Sequence, residues 1–284
     1  MKKIILLICL VAFVTTNAQI KTPAPSPSQK IEQKVGLTDV TLEYSRPLMR
    51  GRVIFGGLVP YDKIWRTGAN ANTKITFSED VEVGSTKLKA GTYAIYTKPN
   101  PNTWEVYFYS DANNWGTPQK WDDSKVAATI KAEVQPMPMK IQSFTMTFDD
   151  VDKDSANLGM LWENVYVSVP IKVDTDTKVL ADIEKVMSGP SAGDYYAAAV
   201  YYLESGKDIN QAKKWIDKAV EMRKDAFWFY RQQSLIYAKS GDKKGAIKAA
   251  KTSLKMAEKA GNEDYVALNK KSLAVWEGKP AITK

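Results

Sequence analysis

The residues best suited to chemistry are concentrated in one stretch, Glu43–Thr73, which reads EYSRPLMRGRVIFGGLVPYDKIWRTGANANT. Only six of the forty basic residues of the chain are arginines, and four of the six fall in this arginine-rich stretch, where Lys63 is the one lysine. A planar guanidinium can pair with a carboxylate or phosphate through two parallel hydrogen bonds, which an ammonium cannot do. The bias towards arginine therefore predicts recognition of a particular chemical group.

We predict a ligand site on this stretch that combines guanidinium, amide and aromatic groups. Asparagine amides both donate and accept hydrogen bonds, and tyrosine or tryptophan rings supply apolar walls. The predicted ligand-binding residues are Arg46, Arg52, Tyr61, Trp65, Arg66, Asn70 and Asn72. The expected ligand is a small anionic or polyhydroxylated molecule, such as a carbohydrate, that is bound without being transformed.

Two other interpretations of the stretch stay open. In the structural one, its arginines pair with carboxylates such as Glu43, Asp62 or Glu79 in a structural or interaction protein of the cell envelope, because buried Arg–carboxylate pairs are common framework features. Trp65 then plugs one end of the β-domain. In the catalytic one, Glu43 and Asp62 belong to a glycan hydrolase, in which two carboxyl groups flank the scissile bond about 5–9 Å apart.

The composition excludes several other chemistries. The chain has no histidine, and its single cysteine, Cys9, lies in an apolar run near the start. Ser-His and Cys-His nucleophiles and imidazole ligands are therefore impossible, and we expect neither a metal nor a cofactor. Asp150, Asp152 and Asp154 imitate the opening of a calcium loop, but Ser155 and Leu161 stand where an EF-hand requires glycine and glutamate. We expect a solvated turn there.

A second aromatic group lies between Trp104 and Trp121. Trp104 and Phe108 share one face of a predicted strand and are expected in the core. Trp115 and Trp121 are the aromatic residues expected in a loop, with Asn113 and Asn114 nearby, where flat rings can stack on a sugar or another planar ligand.

The N-terminal residues have the pattern of a secretory signal. Lys2 and Lys3 precede the apolar run Ile4–Val14, and small residues end at Ala18. We predict a signal peptide over residues 1–18, a flexible proline-rich linker over 19–27, and a periplasmic or extracellular protein without an integral membrane segment after processing. The net charge of +8 is mild and no docking motif accompanies it, so we expect no nucleic-acid partner.

Residues 28–173 predict one antiparallel β-domain, a sandwich or jelly roll. Apolar and polar residues alternate with period two in many short segments, which are separated by turn sequences such as Gly84-Ser85 and Ala90-Gly91. This spacing is typical of all-β sandwiches.

Residues 178–277 predict α-helical hairpins of the tetratricopeptide type. Apolar residues recur on one face of five segments, and Gly206, Gly241 and Gly261 stand at expected helix ends. The pairs Asp208/Asp242 and Ala212/Ala246 are each thirty-four residues apart, the length of that repeat. Because such hairpins usually present a concave surface, we expect them to contact a protein partner. Covering the β-domain is the alternative role.

The run RPLMRGRVIFGGLVPYDKIWRTGANANTKITFSEDVEV, followed by AGTYAIYTKP, resembles the domain of unknown function 2911 family of exported bacterial proteins. The likeness covers roughly residues 28–173, and the helical tail is similar to an extension found in that family. The resemblance implies the β-domain and export. It implies no activity and no ligand.

Overall fold

The computed structural model describes residues 22–187 and 189–278, which form two compact units that divide after Thr175. The predicted signal peptide and the first three residues of the predicted linker lie outside the described residues. Within them, an antiparallel β-domain followed by helical hairpins is confirmed. None of the described helices is long and apolar enough to cross a membrane.

The first unit consists of two antiparallel sheets that enclose one core. One sheet has six strands in the order β1-β2-β3-β6-β7-β8, and the other has four in the order β5-β4-β10-β9. The strands are β1 (Ser28–Val35), β2 (Thr38–Ser45), β3 (Thr73–Phe77), β4 (Val81–Val83), β5 (Thr86–Leu88), β6 (Gly91–Lys98), β7 (Thr103–Tyr109), β8 (Val126–Glu133), β9 (Gln135–Asp149) and β10 (Ser155–Val173), with a short 3-10 helix at Asp123–Lys125. The alternating burial along β2 and β3 follows the period-two pattern of the sequence.

Strand β9 starts earlier than the sequence predicts and includes Pro136 and Pro138. Proline lacks the backbone N–H that a central strand donates to its neighbours. β9 is an edge strand of the four-stranded sheet, so one side of it needs no such donors. The prolines also reduce the chance that another chain pairs with this edge.

The second unit contains six helices in the described residues. They are α1 (Thr175–Val186), α2 (Ala192–Glu204), α3 (Ile209–Met222), α4 (Phe227–Lys239), α5 (Lys243–Lys259) and α6 (Glu263–Glu277). α2 packs on α3, α4 packs on α5, and α6 packs on α5. The predicted small residues Ala212, Ala219, Ala246 and Ala250 are fully buried at these helix contacts, which allows the helices to approach closely. Gly206, Gly241 and Gly261 follow α2, α4 and α5 in the left-handed conformation.

A cluster of five aromatic rings joins the two sheets of the β-domain. Trp104 comes from β7 in one sheet, Phe144 and Trp162 come from β9 and β10 in the other, and Phe55 and Trp65 come from the arginine-rich stretch. The ring centroids of neighbours are 5.0–6.3 Å apart, mostly edge to face, the arrangement that aromatic quadrupoles favour. The stretch is therefore part of the core as well as the surface.

Replacing Trp65 by alanine is expected to lower the free energy of unfolding by about 3 kcal/mol, because it leaves a cavity among four other rings. Trp115→Ala removes the same side chain at an exposed position and should change the stability by less than about 0.5 kcal/mol. Urea unfolding followed by near-ultraviolet circular dichroism compares the two variants. Equal stabilities would show that Trp65 does not contribute to the core.

Candidate functional site

The arginine-rich stretch crosses from one sheet to the other. After β2 ends, Leu48 pairs with Ser143 of β9, the Met49 amide donates to the Gln142 carbonyl over 2.8 Å, and the Phe144 amide donates to Pro47. The chain then returns to the six-stranded sheet, where Trp65 and Thr97 exchange two backbone hydrogen bonds of 2.7 and 2.9 Å. Both ends of the crossing are thus fixed by backbone pairing.

Glu163 of β10 holds the middle of the crossing. Its Oε2 accepts hydrogen bonds from the amides of Ile54 and Phe55 over 3.3 and 3.4 Å. Glu163 lies between two register shifts of the β9–β10 pair and has a φ of 53°, which is uncommon for a residue with a β-carbon. The bulge turns this carboxylate towards the stretch.

Left-handed backbone conformations are concentrated in the same region. Of the six non-glycine residues with positive φ in the described chain, Arg50, Asp62, Thr67 and Asn70 belong to the stretch. Thr67 is the least favourable of these because its side chain is β-branched. It is held by Thr73, whose hydroxyl donates to the Thr67 carbonyl, and its own hydroxyl donates to the Thr97 hydroxyl over 3.1 Å. Such strain persists where the surroundings determine the conformation, as at binding sites.

None of the four arginines of the stretch forms an ion pair with a carboxylate in the part of the chain that the structure describes. They donate instead to backbone carbonyl groups and, in the case of Arg46, also to a hydroxyl group. Arg46 reaches the Phe144 carbonyl and the Thr145 hydroxyl. Arg52 reaches the carbonyls of Leu48 and Met49 over 2.7 and 3.0 Å, and Arg50 reaches that of Pro25. Their charges are therefore not neutralised by a carboxylate contact.

The seven predicted ligand-binding residues are not gathered at one place. Trp65 lies in the aromatic cluster, and Tyr61 packs against that core beside Gly56. Asn72 is buried; its amide Nδ2 donates to the Ala112 carbonyl over 3.1 Å, and its Oδ1 has no partner among the described residues. Arg46 donates to β9 and Arg52 to the Leu48 and Met49 carbonyls, whereas the Arg66 guanidinium lies on Gly116.

Arg66 and Asn70 meet the loop that carries Trp115. The Arg66 Nη1 donates to the Asn70 carbonyl over 2.8 Å, and the guanidinium lies directly on Gly116, so closely that a β-carbon there would be 2.9 Å from Nη1. The neighbouring Trp115 side chain is 80% exposed. We call Arg66, Asn70, Asn114 and Trp115 the Trp115 surface.

The sequence predicts Trp115 as a loop aromatic but does not predict that it lies near Arg66 and Asn70. The two segments are more than forty residues apart and are joined by Asn72, whose backbone and side chain bond to Asn114 and Ala112. The other expected loop aromatic, Trp121, packs on Tyr96, Tyr107 and Tyr109. Trp104 and Phe108 are buried in the core, as expected.

The extended 22–27 segment also reaches this region. Its residues have no regular structure, but the carbonyl groups of Pro25, Ser26 and Pro27 accept hydrogen bonds from Arg50, Asn70 and the Arg46 amide. The Asn70 side chain also donates to the Ser45 hydroxyl over 3.3 Å. These contacts fix the Asn70 side chain within the Trp115 surface.

The carboxylates proposed for a hydrolase are not brought together. Glu43 lies on β2 opposite Lys74, which pairs with Ala94 of β6, whereas the Asp62 amide donates to Pro99, five residues further along the chain. The strand spacing and rise place the two backbones roughly 15–20 Å apart. This exceeds the separation of about 5–9.5 Å between glycosidase carboxyl groups.

The Asp150–Asp154 turn is occupied by internal hydrogen bonds. Asp150 accepts from Asn157, Asp152 accepts from the Lys153 amide, and the Asp154 carbonyl accepts from Val173. Among the described residues no group of three or more acidic, histidine or cysteine side chains is arranged to hold a metal ion.

Tyr96 holds the loop of the Trp115 surface through a hydrogen bond. Its side chain is fully buried, and its hydroxyl donates to the Gly116 carbonyl over 3.1 Å. Burial raises the pKa of Tyr96 to about 12, because the phenolate would lose its hydration. The loop that carries Trp115 is thus tied to the sheet through a buried hydrogen bond.

Tyr96 is expected to make the β-domain sensitive to alkali. Its folded pKa lies above the unfolded value of about 10, so its contribution to stability is complete below pH 10 and is lost as the pH rises through 12. Between these pH values the free energy of unfolding of the wild type should fall by about 2 kcal/mol more than that of Tyr96→Phe. Denaturant titrations at several pH values measure the difference, to which the other tyrosines contribute equally in both proteins. Parallel pH profiles would contradict the expectation.

Comparison with known proteins places the chain in a family. The family described as "Protein of unknown function (DUF2911)" matches residues 26–171, just over half of the chain. The chain belongs to this family. No curated protein and no solved structure matches it.

Proposed function

We propose that this member of the DUF2911 family is an exported, non-catalytic binding module whose Trp115 surface takes an acidic carbohydrate. One observation carries the proposal: Trp115, which is 80% exposed, directly precedes Gly116, on which the Arg66 guanidinium lies without a carboxylate partner among the described residues. Exposed tryptophans of this kind present a flat apolar face, which matches the apolar face of a sugar ring. Export rests on the signal pattern of residues 1–18.

Arg66 supplies the anionic part of the recognition. A guanidinium has five N–H donors, and the one described hydrogen bond of Arg66 uses Nη1. Its remaining donors can pair with a ligand carboxylate in the two-bond geometry that lysine does not offer. The hydrogen bond to Asn70 and the contact with Gly116 orient the group before a ligand arrives, which reduces the entropy lost on binding.

Binding is favoured over hydrolysis. The chain has no histidine, and the two acids of the stretch are too far apart to act on one glycosidic bond. Arg46 and Arg52 donate to β9 and to the Leu48 and Met49 carbonyls, and neither is part of this site. Binding at the Trp115 surface requires a ring for stacking and hydrogen-bond donors, and it requires no catalytic acid or base.

Arg66→Lys is expected to weaken binding of an acidic oligosaccharide, such as an oligogalacturonate, by roughly 1–3 kcal/mol, because the charge stays and the paired donors are lost. Lys63→Ala, in the same stretch but exposed elsewhere, should leave the affinity unchanged. Isothermal titration calorimetry with this ligand and with neutral maltohexaose tests both statements. Equal affinities for Arg66→Lys and Lys63→Ala would refute the role of the guanidinium.

Trp115→Ala should lower the affinity for acidic and neutral oligosaccharides alike by roughly 1–2 kcal/mol, since stacking does not depend on the ligand charge. The matched control is Trp121→Phe, which changes an indole that packs against tyrosines. If neither Trp115→Ala nor Arg66→Lys affects any oligosaccharide in a panel of acidic and neutral ligands, the structural interpretation of the stretch is preferred.

For the helical unit we propose contact with an acidic protein. The specific observation is one face of α5 that carries Lys244, Lys248, Lys251 and Lys255 together with Ile247 and Met256. Lys251 is paired with Glu277 over 2.7 Å, and the other three are exposed. Lys248→Glu with Lys255→Glu should abolish salt-sensitive co-purification of such a partner, whereas Lys270→Glu on α6 should not. If Lys270→Glu abolishes co-purification as well, this face of α5 is not the specific contact.

A further inference from the structure

The first half of the crossing, before Val59, exposes apolar side chains. Leu48, Val53 and Leu58 of the stretch are 36%, 66% and 45% exposed, and Met139 of β9 is 63% exposed. We call these four residues the apolar rim. Single exposed apolar residues are normal in soluble proteins, whereas a group of them at one place indicates contact with another surface.

Backbone contacts bring the four residues together. Leu48 pairs with Ser143 of β9, and the Leu58 amide donates to the Val53 carbonyl over 3.1 Å. Glu163, whose carboxylate holds the amides next to Val53, is the partner of Ile141 in β9. Met139 precedes Ile141 by two residues, at most about 7 Å of chain, in the part of β9 where its register with β10 shifts. The rim therefore combines the 53–58 turn with the adjacent edge strand.

The charge around the rim is positive. Arg50 and Arg52 closely precede Val53 in sequence, are exposed, and form no ion pair with a carboxylate among the described residues. Lys140 of β9 is also exposed. The acid nearest to the turn, Glu163, is committed to two backbone amides. An apolar tip surrounded by cations matches the surface of an anionic bilayer, in which acyl chains lie below negative headgroups.

The extent of the rim argues against a stable dimer. Four partly exposed side chains of this size offer far less than the roughly 800 Å² that each partner buries in a stable protein interface. Pro136 and Pro138 also weaken pairing along the edge of β9. A bilayer needs no such extended complementary area, because it accepts a few side chains at its interface.

We propose that the apolar rim docks the β-domain on an anionic lipid surface, with Val53, Leu58 and Met139 entering the interface and Arg50 and Arg52 contacting headgroups. The site is separate from the Trp115 surface, and either can fail without the other.

The test uses the chain from Gln19 onward, which leaves out the apolar run Ile4–Val14 that would itself enter vesicles. Co-sedimentation with vesicles of phosphatidylglycerol and phosphatidylcholine should exceed that with phosphatidylcholine alone and should fall with salt. Val53→Asp with Met139→Asp should lower the partition coefficient about tenfold, and Arg50→Gln about fivefold. Val151→Asp, which changes an exposed apolar residue in the β9–β10 turn, should have no effect.

Labelling gives a second readout that does not depend on large losses of binding. The chain from Gln19 onward has no cysteine, so Val53→Cys and Val151→Cys each provide one position for an environment-sensitive dye. The dye at position 53 should shift to shorter wavelength with anionic vesicles, and the dye at position 151 should not.

Three results would overturn the proposal. They are no preference for anionic vesicles, equal loss of binding with Val53→Asp and Val151→Asp, or a dye shift at position 53 that depends on protein concentration in the absence of lipid. The last result would assign the rim to contact between copies of the chain.

Discussion

Burial of the five-ring aromatic cluster is the constraint on which the rest of the β-domain depends. Trp104 comes from one sheet, Phe144 and Trp162 come from the other, and Phe55 and Trp65 can join them only if the stretch between β2 and β3 passes across the end of the sandwich. Rings of this size contribute more apolar burial than any aliphatic side chain. The path of the stretch is therefore set by the core, and its polar residues take the positions that this path leaves at the surface.

This arrangement separates two ends of one segment. Near β9, the Glu163 carboxylate ties down the turn at Ile54, and apolar residues with arginines point outward. Near β6, the pairing of Trp65 with Thr97 directs Arg66 towards Gly116 and the loop of Trp115. Loops that carry binding groups are usually held by a rigid framework. Here the framework is the aromatic cluster, and the strained φ values of Thr67 and Asn70 show how closely it determines the backbone.

The periodicity of the sequence predicted most strands and helices, but it did not predict which residues meet at the site. Alternation along β2 and the helical period along α3 reflect burial of one face, which a sequence records directly. The sequence did not predict helix α1 as a separate element. It also predicted too late a start for β9, where Pro136 and Pro138 lie; these prolines are acceptable because β9 is an edge strand. The contact between Arg66 and Gly116 depends on tertiary packing of loops that are fifty residues apart, for which no local pattern exists. Trp65 and Trp115 are both tryptophans of predicted loops, yet Trp65 packs in the aromatic cluster and Trp115 is exposed.

The choice of arginine explains why a structural and a binding role for the stretch are compatible. Each of its guanidinium groups donates to at least one backbone carbonyl group, and this fixes a segment that has little regular structure of its own. A carbonyl accepts the hydrogen bond without cancelling the charge, so the cation stays available at the surface. A lysine ammonium carries its three donors on one nitrogen and cannot offer a parallel pair, whereas arginine can bond the carbonyl and still offer two parallel hydrogen bonds to an external anion. The bias towards arginine in residues 43–73 therefore has a physical reason. These side chains hold the loops in place through carbonyl groups and still present a positive charge at the surface.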